Sequence, residues 1–215
     1  MRRRFVPLVL VALLAVIAGA SLRAGAQEAT PAATAAGTPT GPVTPAPEEC
    51  VVAPRTLVSF QGLATPAADP ATPAPITGAD GLPAGAPADP ATIAGITAAT
   101  RELIACINAG EVLRGLALYS DPFLRSQYGQ GAVSEESFDA AATPRPRGPE
   151  TWVSIARIRD ARVLADGRVG AIVTVVEPTS PRGEDSSLLL FVRVGDRWLL
   201  DGAIDQLPGE ATPAP

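Results

Sequence analysis

The chain reads as an α+β domain set between low-complexity segments, and three features predict it. Apolar residues recur at helical spacing from Ile93 to Ile107. Two turn signals, Asp166-Gly167 and Gly195-Asp196, divide apolar runs later in the chain. The helical half precedes the strand half, an order that suits helices packed on one antiparallel sheet and not a parallel sheet with helical crossovers.

The chain opens like an export signal: Arg2-Arg3-Arg4, an apolar run from Phe5 to Ala20, then Ala24-Gly25-Ala26 as a small-x-small cleavage site. The run falls short of the ~20 apolar residues a spanning helix needs. Residues 1–26 are therefore expected to be a signal peptide, with no stable membrane insertion after cleavage. Arg2 to Val6 also loosely fits a twin-arginine signal. The expected location is extracytoplasmic, either secreted or associated with the cell envelope.

Cleavage after Ala26 removes four arginines and no acids, leaving 13 arginines against 22 acidic residues, a formal charge of −9. Nucleic acid and anionic lipid need a basic face, so neither is an expected partner. The chain has no histidine and no lysine. Ser-His-Asp and Cys-His catalysis, histidine metal sites, P-loops and Schiff bases each require one of those groups and are excluded. No cofactor and no metal are expected.

Residues 27–49 are Ala, Thr, Pro and Gly with hardly a large apolar side chain, and are read as a disordered stalk. Residues 64–88 repeat that composition as a linker, and 208–215 as a tail. Between them, 50–63 carries Val51, Val52, Leu57, Val58, Phe60 and Leu63 to bury. It is too short to fold alone. Cys50 and Cys106 are the two cysteines, and in an exported chain an even count suggests one disulfide, with two separate buried thiols as the alternative. A disulfide would dock residues 50–63 along the first helix, stabilising the fold by about 4 kcal/mol in the chain-entropy model.

The folded domain is expected over 89–207. Asp89 caps and Pro90 starts a helix whose Ile93, Ile96, Thr100, Leu103, Ile104 and Ile107 span an arc of roughly 100°. Asn108-Ala109-Gly110 ends it, Glu111 to Tyr119 forms a shorter helix, and Ser120-Asp121-Pro122 caps another turn with Phe123, Leu124 and Tyr128. Ser134-Glu135-Glu136 starts one more, with acids at the positive end of its dipole. Trp152–Leu164 and Arg168–Val176 form the first hairpin, with positive φ expected at both turn residues, and Ser187–Val194 and Arg197–Ile204 the second.

With Gly195-Asp196 as a two-residue turn, Arg193 faces Trp198 as a cation-π pair, Phe191 faces Leu200, and Leu190 faces Asp201. Asp201 then shares a face with Val192, Leu190, Leu199 and Ala203, a setting from which a general base or a neutral donor is made. Alternatively that face meets solvent or an arginine such as Arg157, Arg159 or Arg162. Both hairpin faces are largely apolar. Helices are expected on one, and the 50–63 segment or a second copy of the chain on the other.

The helix end Cys106-Ile107-Asn108-Ala109-Gly110, the following Leu116-Ala117-Leu118-Tyr119-Ser120-Asp121, the Val163–Val169 hairpin and the closing Gly195–Asp201 stretch resemble the nuclear-transport-factor-2-like superfamily. This cone-shaped fold is shared with SnoaL-like cyclases and ketosteroid isomerases. The resemblance covers residues 90–206. It implies a curved sheet wrapping a long helix around a pocket, and frequent homodimers through the sheet. Catalytic members use an Asp or His base with Tyr and Asp donors, and without histidine or a matching Tyr and Asp pair those roles do not carry over. Tyr119, Tyr128, Trp152 and Asp201 are the pocket candidates by type. The expected function is a non-catalytic module binding a small apolar ligand or a protein partner. The alternatives are an isomerase or cyclase using Asp201 as base with Tyr119 or Tyr128 as donor, and a dimerising envelope element.

Overall fold

A computed structural model describes residues 41–64, 76–78, 82–128 and 134–205. The expected signal peptide, most of the expected stalk, residues 65–75 and 79–81 of the expected linker, and the expected tail lie outside the described residues. The protein is α+β. Helices α1 (Leu57–Gln61), α2 (Pro90–Ala109), α3 (Val112–Leu116), α4 (Asp121–Tyr128) and α5 (Glu135–Ala142) accompany strands β1 (Ala86–Pro87), β2 (Ser154–Val163), β3 (Val169–Val176), β4 (Glu184–Val194) and β5 (Arg197–Asp205). The sheet is antiparallel throughout, in the order β1-β2-β3-β4-β5.

Helix α2 begins and ends where its sequence says. The Asp89 carboxylate accepts from the Ala91 and Thr92 amides at 2.9 Å, and these bonds hold its pKa below the ordinary value. Gly110 closes the helix in the left-handed region at φ 66°, where a side chain would also collide with the Arg145 carbonyl 1.9 Å away. Ile96, Thr100, Leu103 and Ile104 are buried as the stripe requires, but Ile93, one turn from the start, is 40% exposed. Ile96 and Leu103 share a cluster with Val169, Ala171, Phe191 and Leu200 of the sheet, and Ile104 shares one with Val153 and Ile155.

Both hairpins form, with two departures in detail. The first turn has three residues, Ala165 to Gly167, closed by the Leu164 amide on the Arg168 carbonyl at 2.8 Å; only Gly167 has positive φ, so Asp166 is not left-handed as expected. The second pairs Val194 with Arg197 through Phe191 with Leu200 as predicted, then slips, and Leu190 faces Gly202 instead of Asp201. Asp201 is the extra residue of a bulge. The register also pairs Arg193 with Trp198, yet the indole lies on helix α2, where a side chain at Gly95 would stand 2.4 Å from Trp198 Nε1. Helix packing, not a cation, accounts for that tryptophan.

Cys50 and Cys106 form the disulfide. Val52, Phe60 and Leu63 of the docked segment are buried, but Val51 (74%) and Val58 (76%) are exposed, contrary to expectation. This segment lies on the helix side of the sheet. Its Arg55 guanidinium reaches the Leu116 and Tyr119 carbonyls at 2.9 and 2.8 Å, closing helix α3, and pairs with Asp121 at 2.7 Å. Arg114 and Arg125 return bonds to the Val52 and Leu63 carbonyls at 2.6 and 3.2 Å.

Two segments expected to be unstructured are built into the domain. Val43 exchanges two backbone bonds of 2.8 Å with Ile155 at the edge of β2. Asn108, fully buried, donates to the Pro45 and Val153 carbonyls at 3.0 and 3.1 Å and accepts from the Val153 amide at 2.8 Å. Residues 43–49 therefore belong to the fold, because a buried amide whose partners are backbone groups fixes a segment that has no large side chain. The 50–63 segment, packed among the helices, does not cover the other sheet face. Ile76 and Leu82, from the expected linker, pack on Leu164, Ile172, Leu188 and Leu190.

Candidate functional site

The bulge determines what Asp201 meets. Leu118 to Ser120 runs parallel to β5, with the Leu200 amide on the Leu118 carbonyl and the Ser120 amide on the Leu200 carbonyl, both 2.8 Å. The extra residue turns the Asp201 side chain toward this segment, where Ser120 Oγ donates to Asp201 Oδ1. Ser120 is buried, and its Oγ also accepts from the Phe123 amide at 3.2 Å, so the hydroxyl caps helix α4 and holds the carboxylate at once.

The second oxygen faces Arg168, whose Nη1 is 3.4 Å from Asp201 Oδ2. Arg168 is held more tightly by Asp166, through Nε at 2.9 Å and Nη2 at 2.7 Å. Those bonds keep the Asp166 carboxyl below its usual range and raise the guanidinium further. Asp166, Arg168, Asp201 and Ser120 thus form a continuous polar chain from the first hairpin turn to the start of α4. The expected arginine neighbours do other work: Arg157 donates to Thr174 Oγ1 at 3.2 Å, Arg159 pairs with Asp160, and Arg162 reaches the Gly85 carbonyl at 3.2 Å.

Tyr119, next to Ser120 in the chain, stacks on Phe123 at 5.6 Å and 17°. Burial, and secondarily the neighbouring Tyr128, pushes its hydroxyl up to about 12. Tyr128 meets Phe60 edge-on at 6.4 Å, and burial raises its hydroxyl too. Both phenols are neutral donors at physiological pH. Phe60 also meets Phe138 at 6.3 Å, and Leu63, Leu113 and Leu124 complete the apolar cluster around them.

Of the four candidates, Tyr119 and Tyr128 share this cluster and Asp201 lies beside it through Ser120. No hydrogen bond joins either phenol to Asp201 among the described residues. Trp152 stands apart: its Nε1 donates to the Arg147 carbonyl at 3.1 Å and fixes the loop before β2. Ser120 and Arg168 were the partners sequence reasoning missed. The available signal was Asp201-Gly202, an Asp and a Gly adjacent inside a strand, which is the composition of a bulge.

Among the described residues no group of three or more His, Cys, Asp and Glu could hold a metal ion, and no helix is long and apolar enough to cross a membrane. No family model, curated protein or solved structure matches the chain.

Proposed function

We propose that the protein is an exported, non-catalytic binding module on a cone of the nuclear-transport-factor-2-like type, taking a small apolar ligand with a hydrogen-bond acceptor against the Tyr119, Phe123 and Tyr128 group. The observation that carries this is a contrast in occupancy. Both oxygens of Asp201 are engaged, by Ser120 and Arg168, whereas the two phenols are half-buried in an apolar cluster and neutral, with desolvation the main cause of their raised pKa values. A base needs a free carboxylate at the substrate, while recognition needs donors in an apolar setting. The occupied carboxylate supports binding over isomerase chemistry. The basic start, the small-x-small site and the disulfide support an extracytoplasmic location.

Amide-resolved NMR titration with an aryl ketone tests the binding. Shifts should gather at Tyr119, Phe123 and Tyr128, and Tyr119→Phe should weaken binding about five- to ten-fold by removing one donor. Shifts spread over the surface, or indifference to Tyr119→Phe, would refute it. Export is tested by the intact mass of secreted protein with and without alkylation, expected to begin at Gln27 with no free thiol.

A further inference from the structure

We propose that the sheet face opposite α2 is a second interaction surface, shaped for a short peptide segment that carries a proline beside aliphatic side chains, and that residues 76–78 and 82–87 occupy it in cis. This face is formed by Gly170, Ile172, Leu188, Leu190, Gly202 and Ile204. The register aligns Gly170, Leu190 and Gly202 across three strands. Glycine weakens a strand interior, so two of them flanking one leucine need a reason, and close approach of another backbone is the usual one.

Contacts supply that reason. A side chain at Gly202 would stand 3.0 Å from Leu190 Cδ1, so Leu190 leans over Gly202, and at Gly170 the nearest side chain of the sheet is Leu188, whose Cδ1 would be 3.4 Å from a Cβ. Pro83 fills the notch over Gly170: a Cβ on Gly170 would lie 3.0 Å from Pro83 Cβ. Pro83 is fully buried there, while Ile76 and Leu82 rest half-buried on Leu164, Ile172, Leu188 and Leu190.

The occupant has the form of a ligand. Residues 76–78 and 82–84 are bonded to each other, with the Gly78 amide on the Leu82 carbonyl at 2.8 Å, the Ala84 amide on the Ile76 carbonyl at 3.0 Å, and a bridge between Thr77 and Pro83. They present Ile76, Leu82 and Pro83 to the sheet. The chain fixes this segment at its C-terminal end through β1, which pairs Ala86 with Val163 and Pro87 with Arg162. An internal ligand on a short tether holds its site at millimolar effective concentration, so only its removal opens the notch to another segment of the same chemistry.

The test uses the full chain carrying Ile76→Asp with Leu82→Asp and a fluorescent peptide of residues 75–85. The peptide should bind the double variant at least ten-fold more tightly than the native chain, shifting the amides of Gly170 and Leu190. A peptide with Leu82 and Pro83 replaced by serine should not bind. Four results would overturn the proposal: a folded variant that ignores the peptide; equal binding to the native chain; loss of amide protection in β3, which makes the segment part of the core; and self-association of the variant in place of peptide binding, which assigns the face to a second copy.

Discussion

Two segments that precede α2 in the chain lie on this domain, one on the helix side and one on the opposite sheet face, and they are held by different means. Residues 43–63 are fixed by directional bonds: the Val43 to Ile155 exchange, the three bonds of Asn108, the disulfide and the guanidinium of Arg55. Residues 76–78 and 82–87 are fixed by a two-residue strand and by three side chains, of which Pro83 alone is fully buried. The two differ in whether buried polar groups of the core depend on them. Removing the first leaves Asn108 and the edge of β2 unsatisfied. Removing the second uncovers aliphatic side chains and frees the β2 edge at Arg162 and Val163, but leaves the bonds of Asn108 in place.

The largest expected effect breaks the first attachment. Cys50→Ser with Cys106→Ser opens a cross-link of sequence separation 56 and should cost about 4 kcal/mol, read as a lower denaturation midpoint with an unchanged α2 by circular dichroism. Next is Asn108→Ala, which strands the Pro45 and Val153 backbone groups; a loss of about 3 kcal/mol is expected in urea, with faster exchange at the Val153 amide.

Tyr119 sharpens the contrast through pH. Its hydroxyl is raised from 10.0 to about 12, so folding favours the neutral phenol. The stability this contributes is complete below pH 10 and is lost as the pH rises toward 12, with a total of about 3 kcal/mol. Alkaline titration followed at the phenolate absorbance should show Tyr119→Phe removing the last-titrating phenol and flattening that loss. The smallest effect belongs to the second segment: Leu82→Ala should cost only about 1 kcal/mol in the same urea experiment, because the side chain is half-buried.

Where a residue's own chemistry decides local structure, the sequence was legible. Asp89 and Gly110 bound α2, Ser134 caps α5, and the two turn signals open the hairpins as expected. Legibility ended where a remote partner decides. Val43 and Pro45 look like linker until Ile155 and Asn108 are placed beside them. Asp201 looks like a carboxylate among aliphatics until a one-residue bulge turns it to Ser120 and Arg168. Alternation along a strand is reliable only while pairing stays in register, and one extra residue reassigns every later face. Tyr119 and Tyr128 could be named by type, but their shared cluster with Phe60 depends on how residues 50–63 dock.

The most direct measurement is native-state amide hydrogen exchange compared between the two segments. Amides of Val43, Val153 and Ile155 should exchange only on global unfolding, at the rate of the β3 core, whereas Gly78 and Ala84 should exchange through a separate opening at least a hundred-fold faster that leaves β3 protected. Equal rates for both segments would contradict the account, since the sheet-face segment would then be as much a part of the core as the segment anchored by Asn108.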